Sequence, residues 1–120
     1  MLYQVIPTPH FQRDIKNYRK RFKNITKDLD KIIGKLALGD LVGNKVKDVK
    51  VVDADGQAFK VRVANSDTHS GQSNGYRVIY YAVKEDGKIF LLTVYYKKDR
   101  ENITAKEIAQ IVKENCLEEN

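Results

Sequence analysis

The chain has 120 residues, of which 42% are hydrophobic and 32% are charged, and its formal net charge is +6 at pH 7. This composition excludes an intrinsically disordered chain, and the length is sufficient to bury a core without disulfides or a structural metal, so we predict a single domain over residues 1–120. The excess of positive charge favours an anionic partner: nucleic acid, a membrane surface or an acidic protein.

The first third of the chain predicts a short strand followed by two helices. Leu2–Ile6 is the strand candidate, and Thr8 followed by Pro9 is typical of a helix start. Two apolar stripes with helical spacing come next, and Gly39 ends the second one. Their members are Phe11, Ile15, Tyr18 and Phe22, then Ile25, Leu29, Ile32 and Leu36. We expect an αα-hairpin packed on a sheet, whose cations face either solvent or a partner.

The middle of the chain predicts three adjacent strands. Lys45–Val52 is an edge strand or an extended loop, and the turn residues of Asp53–Gly56 follow it. The first strong strand begins at Phe59, the second is Tyr76–Val83 and the third is Ile89–Tyr96. The second strand is almost continuously apolar, as expected of a strand with neighbours on both sides.

Two connections and a final helix complete the predicted elements. Asn65–Gly75 is a polar loop, long for a hairpin, and long polar loops at strand ends are often functional. Glu85–Gly87 is a short turn that places the second and third strands side by side. Thr104 and Glu107 predict a capping box at the start of the last helix, with Ile103 beside it for a hydrophobic staple. The complete pattern predicts an α+β fold: a mostly antiparallel twisted sheet, the helical hairpin on one side and the C-terminal helix closing an edge.

Charge is distributed unevenly along these elements. Residues 13–35 carry nine Lys or Arg against three Asp, whereas residues 99–120 carry three against six acidic residues. The early helices and the sheet are therefore predicted to be basic, and the C-terminal segment acidic.

Cysteine content and hydropathy indicate the cellular setting. Cys116 is the only cysteine, so no disulfide forms within the chain, and a reducing cytoplasm is expected. No apolar run approaches the ~20 residues that span a bilayer. The first ten residues lack the basic and apolar regions of a signal peptide. We predict a cytoplasmic protein with no membrane partner.

The polar positions of the three strands are filled mainly by cations. Lys60 and Arg62 project to the same side of the first strand, and Arg77 lies inside the apolar second strand. The third strand runs directly into a cluster made of Lys97, Lys98 and Arg100. If the strands pair as consecutive antiparallel neighbours, these cations meet at one end of the sheet.

The sequence contains no motif for binding a metal ion or a nucleotide. His10 and His69 are far apart and belong to no spaced ligand set, and neither GxxxxGK[ST] nor GxGxxG occurs. We therefore predict no metal and no cofactor. His69, in the polar loop, is either solvated or a proton shuttle or a contact to a base.

RNA cleavage is a reaction that such cations can promote. The ribose 2′-hydroxyl attacks the adjacent phosphorus, so an enzyme must remove that proton, stabilise the added negative charge and protonate the leaving 5′ oxygen. Arginine can bind two phosphate oxygens, a lysine among other cations has a lowered pKa, and a tyrosine can act as an acid or stack on a base. The catalytic candidates are Lys60, Arg62, Arg77, Tyr95 and Lys97. The alternative is a sheet with an exposed polar face and no catalysis.

The segments FKVRVAN, GYRVIYYAV and IFLLTVYYKKDRENITAKEI resemble the RelE/ParE superfamily of bacterial toxins, in particular its RelE-like and HigB-like members. The resemblance covers Phe59 to Ile111 closely. It implies a toxin of a type II toxin–antitoxin system that enters the A site of the 30S ribosomal subunit, cuts mRNA there and is held inactive by its cognate antitoxin. The basic early helices predict an antitoxin that is acidic at the contact surface.

The resemblance also assigns residues. Lys60, Arg62 and Arg77 match the basic residues of the active-site strands, Lys97 and Lys98 match those after the last strand, and Tyr95 matches the tyrosine of the LLTxYxK pattern. Lys98, Arg100 and His69 are the substrate-binding candidates. In the C-terminal segment, residues 102–105 hold no tyrosine, so the catalytic tyrosine of RelE has no counterpart there.

Two alternatives remain open. One is the ParE-like function, a toxin that inhibits DNA gyrase without cleaving RNA. The other is a catalytically silent protein that binds only antitoxin or DNA.

Overall fold

The structure is a computed structural model that describes residues 2–116; the end of the predicted acidic segment, residues 117–120, lies outside this range. The helices and strands in chain order are β1 (Gln4–Pro7), α1 (Pro9–Arg19), α2 (Ile25–Ala37), β2 (Asn44–Lys45), β3 (Gln57–Val63), β4 (Tyr76–Val83), β5 (Lys88–Tyr96) and α3 (Ala105–Asn115). Strands and helices predicted from the sequence are confirmed to within a few residues. The segment Lys45–Val52, predicted as an edge strand or an extended loop, is mostly a loop, because within it only Lys45 pairs with β3.

Within the described residues the strands form one five-stranded sheet in the order β1-β5-β4-β3-β2. The pairs β3–β4 and β4–β5 are antiparallel, as the sequence predicts, whereas β1 joins β5 in parallel. This confirms the α+β class with a mostly antiparallel sheet.

The two faces of the sheet are covered by different helices. Alternate residues of β4 divide between two cores: Val78 and Tyr80 pack with α1 and α2, while Ile79 and Tyr81 pack with α3. The apolar stripes of the helical hairpin supply the first core, as predicted. The last helix lies on the second face of the sheet, where Ile108 is fully buried, rather than along an edge. A strand with apolar residues on both faces requires a cover on each side, which explains this position.

Helix α1 also completes the edge of β5. The short strand β1 pairs with β5 only as far as Leu91. Beyond that point, the backbone N–H of Val94 donates to Asp14 Oδ2 at 3.2 Å, and the N–H of Tyr96 donates to the Tyr18 hydroxyl at 2.9 Å. These side chains satisfy strand donors that would otherwise be unpaired.

The long polar loop is folded against helix α2. Asp67 accepts hydrogen bonds from the backbone N–H and the side-chain amide of Asn24, each at 2.9 Å. After a short 3-10 turn, Gln72–Asn74, the chain enters β4 through Gly75. A Cβ atom on Gly75 would lie 2.1 Å from the carbonyl oxygen of Val63, so only glycine fits at this crossing. The loop is therefore a fixed wall beside the end of β3.

Candidate active site

A cleft of about 530 Å³ opens at the end of β3 and the start of β4. Four of the cations that the sequence predicts for the site line it: Lys60, Arg62, Arg77 and Lys97. We call it the cationic cleft. Its other walls come from the end of α2, from β2, from the polar loop and from the segment after β5, and its further lining residues include Lys35, Asn44, Gln72 and Glu101.

The strand register explains why these cations converge. Arg62 lies directly opposite Arg77, and Arg77 lies opposite Tyr95. Lys60 is two residues before Arg62 on β3, so both side chains project from the same face. The backbone N–H of Lys97 donates to the carbonyl oxygen of Gly75 at 2.9 Å, which holds the end of β5 beside the start of β4. Six cations were predicted to meet at one end of the sheet, and four of them line this cleft, whereas Lys98 and Arg100 do not.

Arg77 is a buried cation whose hydrogen-bond partners are carbonyl groups. Its side chain is 5% exposed, and its guanidinium donates to the carbonyl oxygens of Gln72 at 3.0 Å, Ser73 at 2.9 Å and Tyr76 at 3.3 Å. Burial, and then the charge of Arg62, lower the pKa of Arg77. Arg77 thus fixes the 3-10 turn and keeps a positive charge beneath the cleft, to which no carboxylate in the described part of the chain is hydrogen-bonded.

Lys60 has the electrostatic setting of a proton-transfer group. Its ammonium donates to Asn102 Oδ1 at 3.1 Å. Burial lowers the pKa of Lys60 below the ordinary value, and the charges of Arg77, Lys97 and Arg62 lower it further. The neutral amine is therefore easier to form at this position than on an ordinary surface lysine.

Tyr95 belongs to the core beneath the cleft. Its side chain is only 4% exposed and packs in the cluster that contains Ile79, Leu92 and Ile103. Its buried hydroxyl has no hydrogen-bond partner among the described residues. Burial raises the pKa of Tyr95, although Arg77 and Arg100 oppose that change. In this conformation the ring is covered by protein and is not available for stacking on a base.

The three substrate-binding candidates do not line the cationic cleft. Lys98 is exposed beyond the end of β5. Arg100 is paired with Glu107, and its guanidinium lies 5.9 Å from the centre of the Tyr95 ring. His69 is exposed in the polar loop with a positive φ of 56°.

Sequence reasoning missed several residues of the cleft. Lys35 comes from the last turn of α2, Asn44 from the two-residue strand β2, and Glu101 from the segment before α3. Asn102 contacts Lys60 from the same segment. The capping box at Thr104 was the available signal, because it places residues 101 and 102 between the end of β5 and the start of the last helix.

Residues 2–116 contain neither a cluster of metal-ligating side chains nor a helix able to span a membrane. Over this range, His, Cys, Asp and Glu side chains do not gather in threes in a way that would hold a metal ion. None of the described helices has the length and apolar character needed to cross a membrane.

The chain is similar to known toxins both in sequence and in fold. A family model described as the RelE toxin of the RelE/RelB toxin–antitoxin system matches residues 18–116. The structure of a mutant of the E. coli toxin RelE in the free state superposes with a TM-score of 0.57 at 19% identity, covering 92% of this chain and 96% of that one. The structural match confirms the predicted RelE-like fold, and the family match covers most of the chain. The protein therefore belongs to the RelE toxin family, whose members are the toxins of toxin–antitoxin systems.

Proposed function

We propose that this toxin is a ribosome-dependent mRNA endonuclease and that the cationic cleft is its active site. The observation that carries the proposal is the convergence of Lys60, Arg62, Arg77 and Lys97 on one cleft, with the pKa of Lys60 lowered by its surroundings. Such a cleft attracts the phosphate backbone and stabilises negative charge that develops on phosphorus. Glu101 is the one carboxylate that faces it among the described residues.

The reaction would proceed by attack of the ribose 2′ oxygen on the adjacent phosphorus. The neutral amine of Lys60 takes the proton of the 2′-hydroxyl as the new oxygen–phosphorus bond forms. Arg62, which is exposed at the cleft, binds the non-bridging phosphate oxygens. The fixed charge of Arg77 adds to the positive electrostatic potential of the cleft. The bond from phosphorus to the 5′ oxygen then breaks, and Lys97 protonates that oxygen. The products are a 2′,3′-cyclic phosphate and a 5′-hydroxyl.

The test uses a residue that is exposed in the cleft. Arg77→Ala removes catalytic charge but also the hydrogen bonds that fix the 3-10 turn, so Arg62→Gln is the sharper variant. Lys84→Gln is the matched control, because it removes one charge from an exposed position at the opposite end of β4. Wild type, Arg62→Gln and Lys84→Gln are expressed in cells, and mRNA 5′ ends are mapped during translation.

We expect codon-phased cuts with wild type and with Lys84→Gln, and their loss with Arg62→Gln. Equal growth arrest without codon-phased cuts in all three strains would contradict the proposal. Gyrase-linked DNA cleavage complexes together with intact mRNA would support the ParE-like alternative. A protein that does not arrest growth and whose affinity for DNA falls steeply with salt would support the catalytically silent alternative.

We also propose the surface that the antitoxin contacts. A groove of about 590 Å³ lies between β1, α1 and α2. Its floor is apolar and includes Val5, Phe11 and Leu29, and the exposed cations Lys16 and Arg19 also line it. These cations belong to the basic stretch 13–35. The groove therefore fits an amphipathic segment with apolar side chains on one side and carboxylates on the other.

Charge reversal tests this surface. Lys16→Glu/Arg19→Glu is compared with Lys106→Glu/Lys113→Glu, which makes the same charge change at exposed positions of α3. The partner is the product of the neighbouring reading frame, and its affinity is measured by calorimetry at two salt concentrations. We expect at least a tenfold loss for the first pair and little change for the second. A basic partner, or an equal loss for both pairs, would show that the contact lies elsewhere.

A further inference from the structure

We propose that Asn102 is a positioning residue for Lys60: its side-chain oxygen holds the Lys60 amino group at the cationic cleft without bringing a negative charge to it. The inference rests on the proposed function and deepens it, because it names the group that orients the general base, Lys60. Asn102 lies between β5 and α3, and its Oδ1 is 3.1 Å from Lys60 Nζ.

The neutral character of this acceptor decides its effect. A carboxylate at hydrogen-bond distance would strongly favour the ammonium form of Lys60, whereas a neutral amide oxygen orients the group and favours that form much less. The other charged groups near Lys60 are mostly cations. They are Arg62 on the same strand, Arg77 from β4, Lys97 after β5 and Lys35 from α2, with Glu101 as the acidic lining residue. Asn44, opposite Lys60 on β2, carries no charge.

The backbone at Asn102 is fixed by its neighbours. Arg100 Nε donates to the carbonyl oxygen of Asn102 at 2.9 Å. The guanidinium of Arg100 pairs with Glu107, and Glu107 closes the capping box of α3 with Thr104. These contacts engage the Glu107 carboxylate with Arg100 and Thr104. They also give Arg100 a structural task that does not require contact with RNA.

Two substitutions separate orientation from charge. Asn102→Asp keeps the shape of the side chain and adds a negative charge, and Asn102→Ala removes the acceptor. Asn102 is exposed, so both variants should fold. Asn17→Asp, at an exposed position of α1, is the matched control for the added charge. The pKa of Lys60 is measured by NMR titration of the side chain in the full-length free toxin, and the pH dependence of mRNA cleavage is measured on programmed ribosomes.

We expect Asn102→Asp to raise the pKa of Lys60 by about 1 unit and to move the acidic limb of the cleavage profile to higher pH by the same amount. Asn102→Ala should lower the cleavage rate about tenfold and leave that limb within a few tenths of a unit, and Asn17→Asp should change neither quantity. A pKa of Lys60 that is unchanged in Asn102→Asp would overturn the inference. If the pKa of Lys60 rises in Asn102→Asp but the wild-type toxin leaves mRNA intact, the contact is supported and the proposed function is overturned instead.

Discussion

Arg62 and Arg77 face each other directly across β3 and β4, one exposed at the cleft and the other buried beneath it. Two like charges in opposite positions of an antiparallel pair destabilise the sheet. Carbonyl groups partly compensate the charge of Arg77, and Arg62 is exposed to solvent. A local loss of stability of this kind is expected at a functional site. The positive potential that destabilises the free protein is the same potential that binds the phosphate.

Removal of Arg62 should therefore separate stability from activity. Arg62→Gln is expected to raise the free energy of unfolding by about 0.5 kcal/mol, because it relieves the repulsion of Arg77. Cleavage of mRNA should fall by about 10² to 10³. Urea denaturation and a cleavage assay on programmed ribosomes measure the two effects, with Lys84→Gln as the control. A variant that loses stability and activity together would indicate a structural role for Arg62.

The pH dependence of stability should report the lowered pKa of Lys60. Between its folded-state pKa and the ordinary value of 10.5, the unfolded chain binds more protons at this residue than the folded chain. Above that window, Lys60 therefore contributes to the free energy of unfolding. This contribution is lost as the pH falls through the folded-state pKa.

Lys60→Met removes this contribution, so the stability of wild type minus that of the variant should increase with pH across the window. The difference is needed because the half-buried Tyr18 and the buried Tyr81 have raised pKa values, which make both proteins less stable above pH ~10. Urea denaturation at several pH values measures it. A difference that does not vary with pH would contradict a lowered pKa at Lys60.

The capped edge of β5 predicts a cost for the loss of one hydroxyl. Tyr18→Phe leaves the backbone N–H of Tyr96 without its partner, and this should lower the free energy of unfolding by about 2 kcal/mol. Tyr3→Phe is the control, since the Tyr3 hydroxyl caps no strand in the described part of the chain. Equal urea midpoints for the two variants would show that water replaces the hydroxyl.

Two glycines should respond in opposite directions to the same substitution. Gly75→Ala places a Cβ atom against the backbone of residues 63–65 and should cost about 2 kcal/mol. Gly34→Ala adds a Cβ atom in open space inside α2 and should stabilise by about 1 kcal/mol. Thermal unfolding of both variants measures the effects, and a shift in the same direction for both would contradict the crossing at Gly75.

Local patterns predicted much of the fold. The two helical stripes, the limits of β4 and the capping box at Thr104 depend on side chains within a few residues of one another, and all are confirmed. The antiparallel order of β3, β4 and β5 also followed from their succession along the chain, with the short turn Glu85–Gly87 between the last two. Because alternation along a strand fixes which side chains share a face, the meeting of Lys60, Arg62 and Arg77 was within reach of the sequence.

Contacts between distant segments could not be predicted from the sequence. The parallel pairing of β1 with β5 joins residues 4–7 to residues 88–91, and the contact between Lys60 and Asn102 joins segments 42 residues apart. The sequence predicts Tyr95 as an active-site tyrosine because it lies on the third strand and matches the LLTxYxK pattern, yet the core that contains α3 buries it. Periodicity identifies the cations of this protein and their face of the sheet. Only the packing of α3 and its preceding segment decided how the predicted residues are used, because these segments pair Arg100 with Glu107, place a neutral acceptor on Lys60 and cover Tyr95.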